Sequence, residues 1–296
     1  MIADADILDG IDLDDGIKQP VTKSVQSNIP EGIITEPVYF DLETIPDFER
    51  RDLFGFDPLP EMPELITPVD SIEDVLKGSV PKIKETLQNA TYEWIDELAA
   101  AETAREKPRK GVHDAVMSVL SERESIGDAE GSQNKKMSVT PEFCRIVAFG
   151  FAIGDQEPQK IIATNNAEER DLLIDFWSLV SRLKAPLVGF NVLHFDLPVI
   201  FVRSIIAGVE PSRSFDLKPW GRDVYDLMKK RFPSGQSMRM KDLARIYQID
   251  VPAEDVDGSQ VLDLYLAKEF DKIREYVASD VVIARMLYAA WSPFFS

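Results

Sequence analysis

Acidic side chains at three well-separated places in this 296-residue chain have the spacing to act together. The first is Asp41 with Glu43, inside the apolar run PVYFDLETI at 37–45. If the run is a strand, alternate side chains share a face: Val38, Phe40 and Leu42 point one way, Tyr39, Asp41 and Glu43 the other. Two carboxylates ~7 Å apart on a buried strand repel each other unless they are protonated or bridged, and hard divalent cations are the economical bridge. The plain alternative is a strand end whose acids reach water. The second place is Asp196, where the apolar segment ending in Gly189-Phe190-Asn191 gives way to a helix. An Asp ahead of Leu197-Pro198 also suits a helix N-cap. The third is Asp280, on the apolar stripe Ile273, Tyr276, Val277, Val281, Ala284, Leu287, Tyr288 of a final helix. An acid on a core-facing stripe must be hydrogen-bonded, paired or metal-bound, and Tyr276, one turn earlier, is a ready hydrogen-bond donor. The chain has two histidines, so His194 and His113 form no ligand cluster and His194 reads as an ordinary loop residue.

These positions depend on the elements that carry them. Residues 37–45 predict a first strand. The Pro-punctuated, charged stretch 57–141 predicts a partly helical insertion, with a helix from Val80 to Ala104, another around His113–Leu120, and a disordered polar run at 127–136, GDAEGSQNKK. CRIVAFGFAIGD and QKIIATN predict two strands in hairpin order. Residues 167–184 carry an amphipathic helical pattern, PLVGFN a buried strand, and LPVIFVRSIIAG a helix ending at Gly208. Helices are expected around Asp223–Arg231, Met240–Tyr247, Gln260–Lys268 and Asp271–Ala290. Antiparallel strands followed by strand–helix alternation predict an α/β fold with a mixed sheet.

Composition narrows the function classes. The hydrophobic fraction of 44% supports a sizeable core, and a single cysteine, Cys144, permits no intramolecular disulfide, which fits a reducing cytoplasm. No segment reaches the ~18 apolar residues of a membrane span, and the start lacks a basic, apolar leader. A formal charge of −19 excludes a polycationic coat protein, although it leaves room for a local nucleic-acid site. Residues 1–36, with eight acids and two lysines, predict a solvated acidic tail. Between Arg203 and Arg245, ten bases stand against five acids, a basic tract suited either to a nucleic-acid backbone or to an ordinary solvated surface. The acidic start is one residue short of an EF-hand opening, and no phosphate-binding G-x4-G-K-[ST] loop occurs.

In series, Asp41-x-Glu43, Asn191-x3-Phe195-Asp196 and Tyr276-x3-Asp280 resemble the DEDD superfamily of 3′–5′ exonucleases, most closely the proofreading exonuclease domain of family B DNA polymerases and its free-standing bacterial and phage relatives. Asp226-Leu227-Met228, Lys241-Asp242-Leu243 and Asp257-Gly258-Ser259 add to the similarity, which covers 37–56 and about 142–292. Glu275 stands where the histidine branch carries its histidine, which indicates the tyrosine branch, and Val192 replaces a usual glycine. The resemblance implies a ribonuclease H-like mixed β-sheet flanked by helices and an exonuclease domain spanning 37–296, interrupted by the insertion. It implies removal of nucleotides from the 3′ end of single-stranded DNA by two-metal-ion phosphodiester hydrolysis in replication or repair. Asp41 would bridge two Mg²⁺ or Mn²⁺ ions, Glu43 and Asp280 complete one site, Asp196 support the other through water, and Tyr276 orient the attacking water. Leu42, Thr44, Asn191 and Phe195 would contact the terminal nucleotide. A free-standing, cytoplasmic, bacterial or phage-encoded enzyme is expected, with the tail or insertion available to a protein partner. The competing expectations are a catalytically silent nucleic-acid or replication-partner binding protein on the same scaffold, and an RNA-trimming exonuclease.

Overall fold

The structure, a computed structural model, describes residues 29–56, 63–218, 221–231, 238–251 and 256–294. Five strands form its centre: β1 (Val38–Pro46), β2 (Cys144–Ile153), β3 (Gln159–Ile162), β4 (Leu187–Gly189) and β5 (Val224–Asp226). They lie in the order β3-β2-β1-β4-β5. β2 runs antiparallel to both of its neighbours, while β1, β4 and β5 are mutually parallel. One reversed strand in this order is the ribonuclease H-like mixed sheet.

Apolar layers cover both faces. Val38, Phe40 and Leu42 of β1 pack with α5 (Asn166–Ser181) and α6 (Asp196–Ala207). Tyr39 faces the other way, toward α10 (Phe270–Trp291), which is supported by α8 (Met240–Ile246). Strand alternation therefore sends Asp41 and Glu43 to the α10 side. A bulge between Glu43 and Thr44, opposite Ala148 and Ile146, places both Val147 and Ala148 against α10 side chains. Gly150, paired with Asp41, lets α10 approach closely, since a β-carbon there would lie 3.1 Å from the Val277 carbonyl and from the side chains of Val277 and Val281. A buried ion cluster locks the opposite layer. Arg203 on α6 donates to Glu169 on α5 at 2.8 and 2.7 Å and to Asp47, just past β1, at 2.8 Å. Glu169 also accepts the Ile146 amide of β2 at 2.9 Å.

Residues 63–138 form a helical unit: α1 (Ile72–Leu76), α2 (Val80–Asn89), α3 (Tyr92–Thr103) and α4 (Lys110–Ser138). It has an apolar cluster of its own around Ile83, Leu87, Ile95, Leu98 and Val112. The single helix expected over 80–104 is broken at Ala90–Thr91. There the Ile66 carbonyl accepts the Thr91 amide, and the Thr91 hydroxyl caps α3 at the Trp94 amide. The run 127–136, expected to be disordered, is the continuation of α4. Tertiary contacts outweigh its two glycines: Arg51 donates to Glu130 and Gln133, and Thr44 donates to the Ser138 carbonyl at 2.7 Å. The segment expected as a helix around Asp223–Arg231 begins instead as β5, paired to β4, before α7 (Leu227–Arg231).

Residues 1–28 of the expected tail lie outside the described residues, as do 57–62 of the insertion. Residues 29–36 do not hang free. Ile34 is buried and pairs with Leu183 at the end of α5, and Arg182 donates to the Pro30 carbonyl. Cys144 is a free, buried thiol, pushed up to about 12 by burial. No helix among the described residues is long and apolar enough to cross a membrane.

Candidate active site

A cleft of about 1100 Å³ opens over the middle of β1. All nine residues expected to serve a site line it: Asp41, Leu42, Glu43, Thr44, Asn191, Phe195, Asp196, Tyr276 and Asp280. Three elements bring the acids together. β1 presents Asp41 and Glu43, α10 presents Tyr276 and Asp280 one turn apart, and the first turn of α6 presents Asp196. Carboxylate oxygens of Asp41, Glu43 and Asp280 all lie within 4.8 Å of one another. Asp196 is buried outside this trio, yet its charge raises the proton affinity of Asp41 and Glu43.

The electrostatics are those of an overloaded site. Burial, then the neighbouring carboxylates, push Asp41 and Glu43 well above the usual carboxylate range. Burial lifts Asp196 to about 7, although its own amide and that of Leu42 draw it back. Burial also lifts Asp280 to about 6, opposed by Lys241 and by the Tyr276 hydroxyl bonded to it. Tyr276 is raised far above an ordinary phenol, by burial first and then by the charges of Glu43, Asp280 and Asp41, so its hydroxyl stays protonated and donates. The Tyr276–Asp280 bond satisfies one carboxylate oxygen. Asp280 Oδ1 remains shielded with no hydrogen-bond partner among the described residues.

A cluster of hard oxygen donors, mutually repelling, with one orphaned and buried, fits divalent cations such as Mg²⁺ or Mn²⁺. Asp41, Glu43 and Asp280 are the residues that would hold them, with Asp196 beside. Asp196 is the first residue of α6 rather than its N-cap; that place belongs to Phe195, whose side chain makes no capping bond. His194 is exposed and does not line the cleft.

Several residues that build or line the cleft carry no chemical role in the sequence reading. Asp226 is buried and its carboxylate accepts the amides of Asn191, Leu193, Met228 and Lys229 at 3.0–3.1 Å. That network holds Asn191 at φ 65°, a left-handed conformation that Asn tolerates better than most residues. The signal in the sequence is Asp226-Leu227-Met228, which contributes to the family similarity without revealing this task. Val192, in the place of a glycine, is fully buried over Gly189, where an added β-carbon would come within 2.3 Å of Val192 Cγ1. Lys241 donates to the Val256 carbonyl at 2.7 Å and stands 4.6 Å from the Tyr276 ring centroid. Of the basic tract, Arg239, Lys241 and Arg245 line the cleft, whereas Arg203 is consumed in the buried ion cluster. The insertion contributes Gly131, Asn134, Lys135 and Ser138 from α4, to which no local signal points.

A mixed sheet of this order with carboxylates gathered over its central strand defines a nuclease-like domain. Residues 139–294 match the family described as a predicted 3′–5′ exonuclease related to the exonuclease domain of PolB, and the chain belongs to that family. α4 ends immediately before the matched segment. An uncharacterized protein of Methanocaldococcus jannaschii is 27% identical over 124 residues, which is 41% of this chain and 66% of that protein, just under two thirds of its length. The family B DNA polymerase of the hyperthermophilic archaeon Pyrobaculum calidifontis is similar at 20% identity and a TM-score of 0.45, over 54% of this chain and 23% of the polymerase.

Proposed function

We propose that the chain is a metal-dependent 3′–5′ exonuclease that releases nucleotides from the 3′ end of single-stranded DNA. The observation that carries this reading is the convergence of Asp41, Glu43 and Asp280, with a shielded carboxylate oxygen left unpartnered, on the floor of a large cleft. Such a cluster works against folding and gains purpose only when it gathers cations. Bound Mg²⁺ or Mn²⁺ would supply charge to activate a water and to stabilise the departing 3′ oxygen. Asp41, Glu43 and Asp280 hold that charge in place, and Asp196 supports it from α6. The protonated Tyr276 hydroxyl orients by donating a hydrogen bond and does not abstract a proton. Asn191, fixed by Asp226, and Phe195 present an amide and a ring to the terminal nucleotide, with Leu42 beside them. Thr44 lines the same space, but its hydroxyl hydrogen is given to the Ser138 carbonyl.

The test uses end-labelled single-stranded DNA and RNA, each with a free or a blocked 3′ end, with Mg²⁺, Mn²⁺ or EDTA. Stepwise shortening of free-ended DNA, absent in EDTA and in Asp41→Ala, is expected. Full activity of Asp41→Ala, or cleavage indifferent to the 3′ block, refutes the assignment. Faster loss of RNA would transfer the same mechanism to an RNA-trimming role.

A further inference from the structure

α4 turns one face to the cleft. Gly131, Asn134, Lys135 and Ser138 follow the i, i+3, i+4, i+7 spacing of a single helix side, and all four line the same space as the carboxylates. Two of these side chains are chemically unspent among the described residues. Lys135 is exposed and makes no hydrogen bond or ion pair, while the other cleft cations are engaged: Arg239 faces Asp257 at 3.8 Å, Arg245 pairs with Asp242 at 3.0 Å, and Lys241 donates to Val256. The Asn134 amide oxygen is shielded and has no partner. Gly131 is not demanded by packing, because a β-carbon there meets nothing within 4 Å. A glycine inside a helix works against the helix, so its effect here is to leave room beside Lys135. Phe190 and Phe195 line the same cleft. Rings for bases and a cation for phosphates around one space are what a single polynucleotide strand requires.

The geometry points to this face of α4 as a wall of the substrate channel. Lys135 binds the sugar-phosphate backbone of the strand behind its 3′ end with its ammonium, and Gly131 admits that backbone close to the helix. This inference rests on the exonuclease reading for the identity of the strand end. The Thr44–Ser138 hydrogen bond, joining residues 94 apart in sequence, fixes the wall to the strand that carries Asp41 and Glu43.

The test is anisotropy of a labelled single-stranded oligothymidylate bound to the full chain, with Ca²⁺ present, for wild type, Lys135→Ala, Lys135→Glu and Gly131→Leu. Both sites are exposed, so these variants fold, and the Leu variant is expected to melt no lower than wild type. Lys135→Glu and Gly131→Leu are each expected to weaken binding about tenfold. Lys135→Ala should reduce the slope of log Kd against log salt by about 0.7, the share of one phosphate contact on a single strand. In turnover with Mg²⁺ or Mn²⁺, the oligonucleotide KM should rise while kcat on a mononucleotide p-nitrophenyl ester, too short to reach the wall, stays near wild type. Wild-type affinity and salt slope in all variants, or no binding by the wild-type chain, overturn the wall. Strand binding that the variants lose, with no nucleotide released by any protein, leaves the wall standing and removes the exonuclease reading. Release at wild-type KM by every variant does the reverse.

Discussion

Replacing Asp280 with asparagine should stabilise the metal-free protein while abolishing its response to metal. The Asp280 carboxyl is held at about 6 against an ordinary 3.8. A raised carboxylate binds its proton more tightly in the folded state, so its contribution to stability is present below pH 3.8 and is lost as pH rises through about 6. At about 1.4 kcal/mol per unit, a charged Asp280 at pH 8 costs the fold ~3 kcal/mol. The replacement amide carries no charge, still offers an oxygen to the Tyr276 hydroxyl, and turns an N–H toward Asp41 and Glu43, whose protonation Asp280 promotes by repulsion. With an unfolding entropy near 2.1 cal/mol/K per residue, ~3 kcal/mol corresponds to about 5 °C for a chain of 296 residues.

Calorimetry in EDTA across pH 4.5 to about 8.5 should therefore show Asp280→Asn melting above wild type, with the gap widening as pH rises. Saturating Mn²⁺ should reverse the order. At a thousandfold excess over Kd the wild type gains about 4.1 kcal/mol, more than the ~3 kcal/mol that the charged Asp280 costs it, and the variant, having lost a ligand, gains far less. A variant that melts below wild type in EDTA at pH 8, or that keeps the full Mn²⁺ shift, refutes the view that Asp280 is kept for cations and assigns it to the Tyr276 hydrogen bond instead.

Two structural supports of the site give sharper consequences than the ligands themselves. Gly150→Val inserts a side chain where even a β-carbon lies 3.1 Å from the Val277 carbonyl, so α10 must lift from β2; the Mn²⁺-induced shift in Tm should shrink more than the Tm of the EDTA form falls, and an unchanged metal response contradicts the close-packing argument. Arg203→Met strands Glu169 and Asp47 with less compensation in the core, at a cost of roughly 3–5 kcal/mol, or about 5–8 °C, read by thermal melting; a loss under about 1 kcal/mol would show that the cluster relaxes or protonates.

The strand and helix that carry the clustered acids were legible because they break their own patterns. Acids alternate with Val38, Phe40 and Leu42 in a run that otherwise reads as buried, and Asp280 interrupts an apolar stripe; both anomalies survive at the level of single residues and local periodicity. α5 and α10 followed from a 3.6-residue period, and α6 from the length of its apolar run, with Gly208 closing it at φ 63°. The last three turns of α4 were illegible for the opposite reason. Gly127, Gly131 and a polar surround carry poor helix propensity, and the contacts that stabilise them come from Arg51 and Thr44, 79 to 94 residues away. β5, three residues long, exists because β4 is beside it, and a tripeptide has no period to read.

The same division explains which site residues sequence reasoning missed. Asp41, Glu43 and Asp280 announce themselves because each is costly where it stands, and cost without a structural return is a local signal; Asp196, which also suits a helix N-cap, stands out only through the family resemblance. Asp226, Lys241 and Asn134 stand where they do only through partners: four backbone amides for Asp226, the Tyr276 ring and the Val256 carbonyl for Lys241, the cleft for Asn134. Four raised carboxylates also mean that the fold must be carried by something other than the site. The apolar layers on both faces of the sheet and the Arg203 cluster meet that need, and they do so from elements that also deliver the acids. Arg203 and Asp196 share α6 seven residues apart, and Asp47 follows the strand that bears Asp41 and Glu43. Stability and placement are thus supplied by one set of contacts, which is why disturbing Gly150 or Arg203, neither of which lines the cleft, should register in the cation response.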